Sequence, residues 1–169
     1  TLGTFDGIHP GHLKIIDKNT FEGSSHHFEN GFKQGNQPNI NSECGNVWGY
    51  EGSTGDVDWS WDYHRMINTF RKYPKVAGWL YTEHHDVINE WNGYWRFDRT
   101  KKFTGLDDIF PGMSDKDFHS DIYLSTGNDI CKNVKGGETF TVPLFISVMS
   151  GKSFKEDQLF IEYTVDFFD

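Results

Sequence analysis

"PNINSE" (residues 38–43) and "KVAGWLYT" (75–82), with "DWSWDYHRMINTFRK" (58–72) between them, decide how this chain reads. The first is a short extended segment ending on an acid. The last is apolar on both faces, the pattern of a strand covered on both sides in a parallel sheet. Between them, Trp59, Tyr63, Met66, Ile67 and Phe70 fall at offsets of 4, 7, 8 and 11, the stripe of an amphipathic helix. Asp56 or Asp58 is placed to cap that helix, and Pro74 to stop it. Strand, Gly-rich loop (44–58), helix and strand make one βαβ unit, so the two strands are expected to run parallel.

Working outward, residues 21–38 are rich in Gly, Asn, Gln and Ser and read as a long loop. Residues 1–20 begin as a very short strand, "TLGTF", followed by a turn and a helix, "GHLKIIDK". Downstream, residues 83–105 form a second loop carrying two Trp, two His and many charges. Beyond it the period changes to two. "TFTVPLFISVMS" (139–150) and "DQLFIEYTVDFF" (157–168) alternate like strands of an antiparallel sandwich. The domain boundary is expected near residues 106–118, and no internal repeat is visible.

The 169 residues carry 16 Lys and Arg against 25 Asp and Glu, a formal net charge of −9. That is the wrong sign for neutralising a phosphate backbone, so nucleic acid is not an expected partner. No run of about 18 apolar residues exists to span a membrane. No basic-then-apolar signal peptide opens the sequence either. An aromatic fraction of 17% in a polar chain supplies flat rings suited to stacking on sugars as well as to a core. Cys44 and Cys131 are too few for a disulfide framework and leave the redox compartment open. Opening on Thr1 and closing just after a strand-like run, the chain is expected to continue at both ends.

Glu43 sits where a parallel strand meets a loop, the end of the strands at which α/β barrels build their active sites. The next strand runs into Tyr81, Glu83, His84, His85 and Asp86 near the same rim. Adjacent histidines on an extended segment point to opposite sides, which argues against a metal site, and no metal is expected.

"NSECGNVWGYEG" (41–52) followed by "VAGWLYTEHHDVINEWNGYWRFDRTKKFTG" (76–105) resembles the C-terminal end of the catalytic barrel of family 2 glycoside hydrolases, the β-galactosidases, β-glucuronidases and β-mannosidases. The likeness rests on Ser42, Glu43 and Gly45, then Tyr81-Thr82, Asp86-Val87, Glu90, Asn92-Gly93, Asp98-Arg99 and Lys102, in order. It covers roughly residues 30–110. It implies an α/β fold: the C-terminal fragment of a (β/α)8 barrel over residues 21–110, followed over 111–169 by the start of an immunoglobulin-like β-sandwich. The implied activity is hydrolysis of β-linked sugars with retention, with no cofactor. In the parent enzyme a periplasmic or extracellular location is expected.

By this resemblance Glu43 is the nucleophile, and "VAGWLYT" is the eighth barrel strand. A retaining glycosidase needs an ionised carboxylate at the anomeric carbon and a protonated carboxyl about 5 to 5.5 Å away. Trp79 suits either a sugar platform or a ring of the barrel core, with Trp48, His84 and Trp91 as further substrate-binding candidates and Trp95 behind them. Two departures stand out. Cys44 occupies the position where the family has Tyr or Phe. The family's acid/base, the Glu of an Asn-Glu pair on the fourth strand, belongs upstream of this sequence. Asn89-Glu90 follows the eighth strand, so Glu90 reads as a structural acid.

A second resemblance lies at the N-terminus. "GTFDGIHPGH" (3–12) is similar to the His-x-x-His signature of nucleotidyltransferases of the FAD synthetase type. That likeness implies phosphate at a helix N-terminus faced by His9 and His12, three residues apart. The strand–helix repeats of a doubly wound sheet do not follow. Residues 1–20 are therefore either an orphan segment or a loop of the barrel. Three functions stay open: a glycosidase part, a nucleotidyltransferase and a catalytically silent fragment, since two barrel units cannot close a barrel of eight.

Overall fold

The computed structural model describes residues 5–6, 15–16, 18, 20–26, 28–45, 58–88, 90–151, 153, 155 and 159–166. Three strands, β1 (Phe5–Asp6), β2 (Asn39–Gly45) and β3 (Val76–Tyr81), form one parallel sheet in that order. Helix α1 (Ser60–Lys72) connects β2 to β3. The N-terminal stretch thus shares a sheet with the strand that carries Glu43: Phe5 lies opposite Cys44, and Asp6 opposite Gly45.

The apolar stripe accounts for how α1 sits. Trp59, Tyr63, Met66, Ile67 and Phe70 are all buried and form the core with Ile16, Cys44 and Val76. Asp58 ties down the start of the helix: its Oδ1 accepts the Ser60 amide at 2.8 Å and the Ser60 hydroxyl at 2.6 Å. Its Oδ2 accepts the Gly105 amide at 2.9 Å. At the other end Tyr73 turns extended (φ −105, ψ 119), as the residue before a proline must, and the helix stops at Lys72.

The expectation that β3 is covered on both faces is not met. Val76 is buried, but Leu80 is 61% exposed and Ile40, on β2, is 50% exposed. Helix α1 covers one face of the sheet, and no described element packs on the other.

Beyond the sheet come a short helix α2 (Leu106–Ile109), one 3-10 helix (Asp115–His119) and a hairpin of β4 (Ile122–Ser125) with β5 (Phe145–Val148). The strand expected over 139–150 contracts to 145–148. Residues 159–166, within the strand expected over 157–168, carry no strand. The hydrophobic cluster runs through the 106–118 region where the boundary is expected, taking in Leu106, Phe118 and Tyr123.

The hairpin meets α1 through polar groups. Tyr123 donates to Asn68 Oδ1 at 2.6 Å, and Ser125 to the Asn68 carbonyl at 2.7 Å. Arg71 donates to Ser147 Oγ at 3.3 Å and to the Phe118 and Ser120 carbonyls at 3.0 and 2.6 Å. The apolar residues of the hairpin, Ile122, Leu124, Ile146 and Val148, are 40 to 45% exposed on its other face.

Candidate active site

The site begins with an irregularity in β2. Asn41 pairs with Trp79 and Cys44 with Tyr81, so β2 covers three residues while β3 covers two. A bulge of this kind puts two consecutive side chains on one face. The burial follows suit: Asn41 and Cys44 are buried toward α1, whereas Ser42 and Glu43 are both exposed. Glu43 therefore presents its carboxylate on the open face, next to the C-terminal end of the strand.

Behind it, Cys44 donates its thiol to the Leu80 carbonyl at 3.4 Å. Burial, with the Glu43 charge adding to it, pushes the Cys44 thiol up to about 12. A thiol held neutral is a poor nucleophile. Around Cys44 the rings of Trp59, Tyr63, Tyr81 and Tyr94 pack edge to face or tilted, with centroids 4.6 to 6.1 Å apart.

The loop after β3 folds back over the end of β2. The Thr82 amide donates to the Cys44 carbonyl at 2.7 Å. Asn92 stands over Gly45, where an added Cβ would lie 2.7 Å from the Asn92 Nδ2 and from the Thr82 carbonyl oxygen. Asn92 is held there because the Tyr81 hydroxyl donates to its carbonyl at 2.5 Å. A buried pair fixes the rest of the loop. Lys102 Nζ lies 2.6 Å from Asp86 Oδ1 and also donates to the Trp91 carbonyl at 2.8 Å. The Gly93 amide donates to the same Asp86 oxygen at 2.9 Å. Gly93 passes so close that a Cβ would fall 2.2 Å from the Asp86 nitrogen, leaving room for glycine alone.

Trp79 faces α1, opposite to Ser42 and Glu43, between the rings of Phe70 at 6.0 Å and His119 at 5.6 Å. Its Nε1 donates to the Tyr63 hydroxyl at 3.1 Å. His84 is exposed on the loop with its ring edge-on to His85 at 5.7 Å. Trp91 is half-buried, and its main chain serves the Lys102 clasp. Trp48, His9 and His12 lie outside the described residues.

A carboxyl that the sequence reading leaves without a role is Glu83, just past β3. Among the described residues its Oε1 is buried without a hydrogen-bond partner. Burial first, and the Glu90 charge second, raise its pKa above the ordinary carboxylate value. The signal in the sequence is its place directly after a parallel strand, the same place that singles out Glu43.

Among the described residues no group of three or more His, Cys, Asp and Glu is arranged to hold a metal, and no helix is long and apolar enough to cross a membrane. Comparison with protein-family models, with curated proteins and with solved structures finds no match to this chain.

Proposed function

We propose that this chain supplies the nucleophile of a retaining β-glycosidase. The observation that carries the reading is the position of Glu43: an exposed carboxylate beside the C-terminal end of a parallel strand, turned onto the open face by a bulge. In the reaction the carboxylate attacks the anomeric carbon and the aglycone oxygen leaves with the bonding pair. Water then hydrolyses the glycosyl ester and returns the carboxylate. The loop clasp of Asp86, Gly93 and Lys102 supports this reading by fixing Asn92 on the strand end two residues beyond the nucleophile. Trp79 is committed to packing on α1, between Phe70 and His119, and is not counted as a sugar platform in this reading.

The acid/base carboxyl is not assigned to any residue of the chain, which shapes the test. A dinitrophenyl 2-deoxy-2-fluoro-β-glycoside has a leaving group that departs without protonation and forms a slowly hydrolysed adduct. Incubated with the protein, it is expected to add one fluoroglycosyl mass on the peptide containing Glu43, and Glu43→Gln is expected to abolish the adduct. Labelling elsewhere, or equal labelling of the variant, rules out Glu43. No labelling of either protein marks the chain as catalytically silent. The nucleotidyltransferase alternative rests on His9 and His12, and no observation favours it.

A further inference from the structure

The loop clasped by Lys102 ends in a small hairpin whose chemistry differs from the rest of the chain. Trp95 and Lys101 pair across an antiparallel bridge, which sets an aromatic and a basic residue opposite each other on the two arms of the hairpin. The turn between them is built in: the Arg96 amide donates to the Thr100 carbonyl at 2.8 Å, and Asp98 Oδ1 accepts the Thr100 amide at 3.0 Å and its hydroxyl at 2.7 Å. Arg99 occupies the left-handed region at φ 72, with its guanidinium held to the Phe97 carbonyl at 3.2 Å. Trp95, Phe97 and Phe103 are 38, 59 and 69% exposed.

Lys102 is taken up by Asp86 and the Arg96 guanidinium donates to the Lys101 carbonyl at 2.5 Å, so residues 95–103 present two further cations, Arg99 and Lys101, beside the carboxylate of Asp98. Asp98 is itself turned onto Thr100. A positive, aromatic surface stands out on a chain with 25 acidic and 16 basic residues.

We infer that the 95–103 hairpin is a docking surface for an acidic β-glycan, one carrying carboxylate or sulfate groups at intervals along the chain. The rings suit the C–H faces of pyranoses, and the interleaved cations suit isolated anionic substituents. The overall negative charge opposes a dense polyanion, which favours a sparsely charged glycan over a nucleic acid or an anionic membrane. Preformed turn hydrogen bonds lower the ordering cost of binding. The sugar nature of the partner rests on the glycosidase reading; the cation–aromatic surface does not.

The test is affinity electrophoresis of the full chain through gels containing carboxymethylcellulose, with hydroxyethylcellulose as the neutral β-linked control. Carboxymethylcellulose is expected to retard the protein at least about tenfold more strongly, with the effect falling as salt rises. Arg99→Asn with Lys101→Ser is expected to remove most of the retardation, and Trp95→Ala to weaken it by about tenfold. Both variants are checked for unchanged melting. Equal retardation by the neutral polymer, no retardation, or no effect of the variants overturns the proposal. So does single-stranded DNA or phosphatidylserine vesicles binding as tightly at the same salt. Binding that persists in Glu43→Gln, alongside a failed labelling experiment, would leave a glycan-binding surface standing without the glycosidase.

Discussion

His64 shows how much one side chain can impose. It is 9% exposed on α1, its Nδ1 has no hydrogen-bond partner among the described residues, and its ring lies edge-on to Phe118 at 5.2 Å. Burial lowers its pKa from 6.5 to about 4. The unfolded chain binds a proton between those values and the native state does not. The contribution of His64 to stability is therefore complete above pH 6.5 and is lost as pH falls toward 4, at a full depth of about 3 kcal/mol. Urea titrations at several pH values are expected to show that slope in the wild type and a much flatter one in His64→Leu, which also removes an unsatisfied buried nitrogen. An undiminished slope in the variant would move the effect to another group. At this scale the sequence was readable where a residue type has one use: the α1 stripe and the Pro74 stop lie where the periodicity puts them. It did not decide between a core ring and a sugar platform for Trp79, since a large ring after an apolar strand suits both; the ring packs between Phe70 and His119.

Among the elements, the loop after β3 depends most on a single contact. Lys102 and Asp86 are buried together, and the pair also holds Gly93 and the Trp91 carbonyl. Lys102→Met strands a buried carboxylate and is expected to destabilise the protein by about 3 to 5 kcal/mol. Adding Asp86→Asn to it is expected to recover a good part of that loss, measured by denaturant unfolding. If the double variant is no better than the single one, the lysine acts through its packing rather than its charge. Legibility was uneven here. The matching positions Asp86, Asn92-Gly93 and Lys102 could be picked out in the sequence, yet nothing in their spacing shows that they converge on one oxygen. Strand β4 escaped notice for a physical reason. Its buried positions, Tyr123 and Ser125, are the ones bearing hydroxyls, and its exposed positions, Ile122 and Leu124, are aliphatic, so its alternation reads inside out.

For the molecule as a whole, that inversion leaves an aliphatic face exposed on the β4–β5 hairpin, where Ile122, Leu124 and Ile146 line a shallow cavity together with Leu159, Phe160 and Ile161. Such a surface favours association. The chain is expected to bind a hydrophobic dye and to elute early on a sizing column. Ile122→Thr with Ile146→Thr is expected to reduce both with little change in melting, because neither residue is in the core. Unaltered dye binding would place the exposed apolar surface elsewhere. The extra residue of β2 has a consequence for how the protein can change over time. Alternation resumes at Cys44, so a change of side chain at Ser42 or Glu43 leaves the helix-facing Asn41 and Cys44 in place. Evolution can therefore edit the chemistry of the open face at Ser42 and Glu43 without renegotiating the interior, a local freedom that a regular strand does not offer.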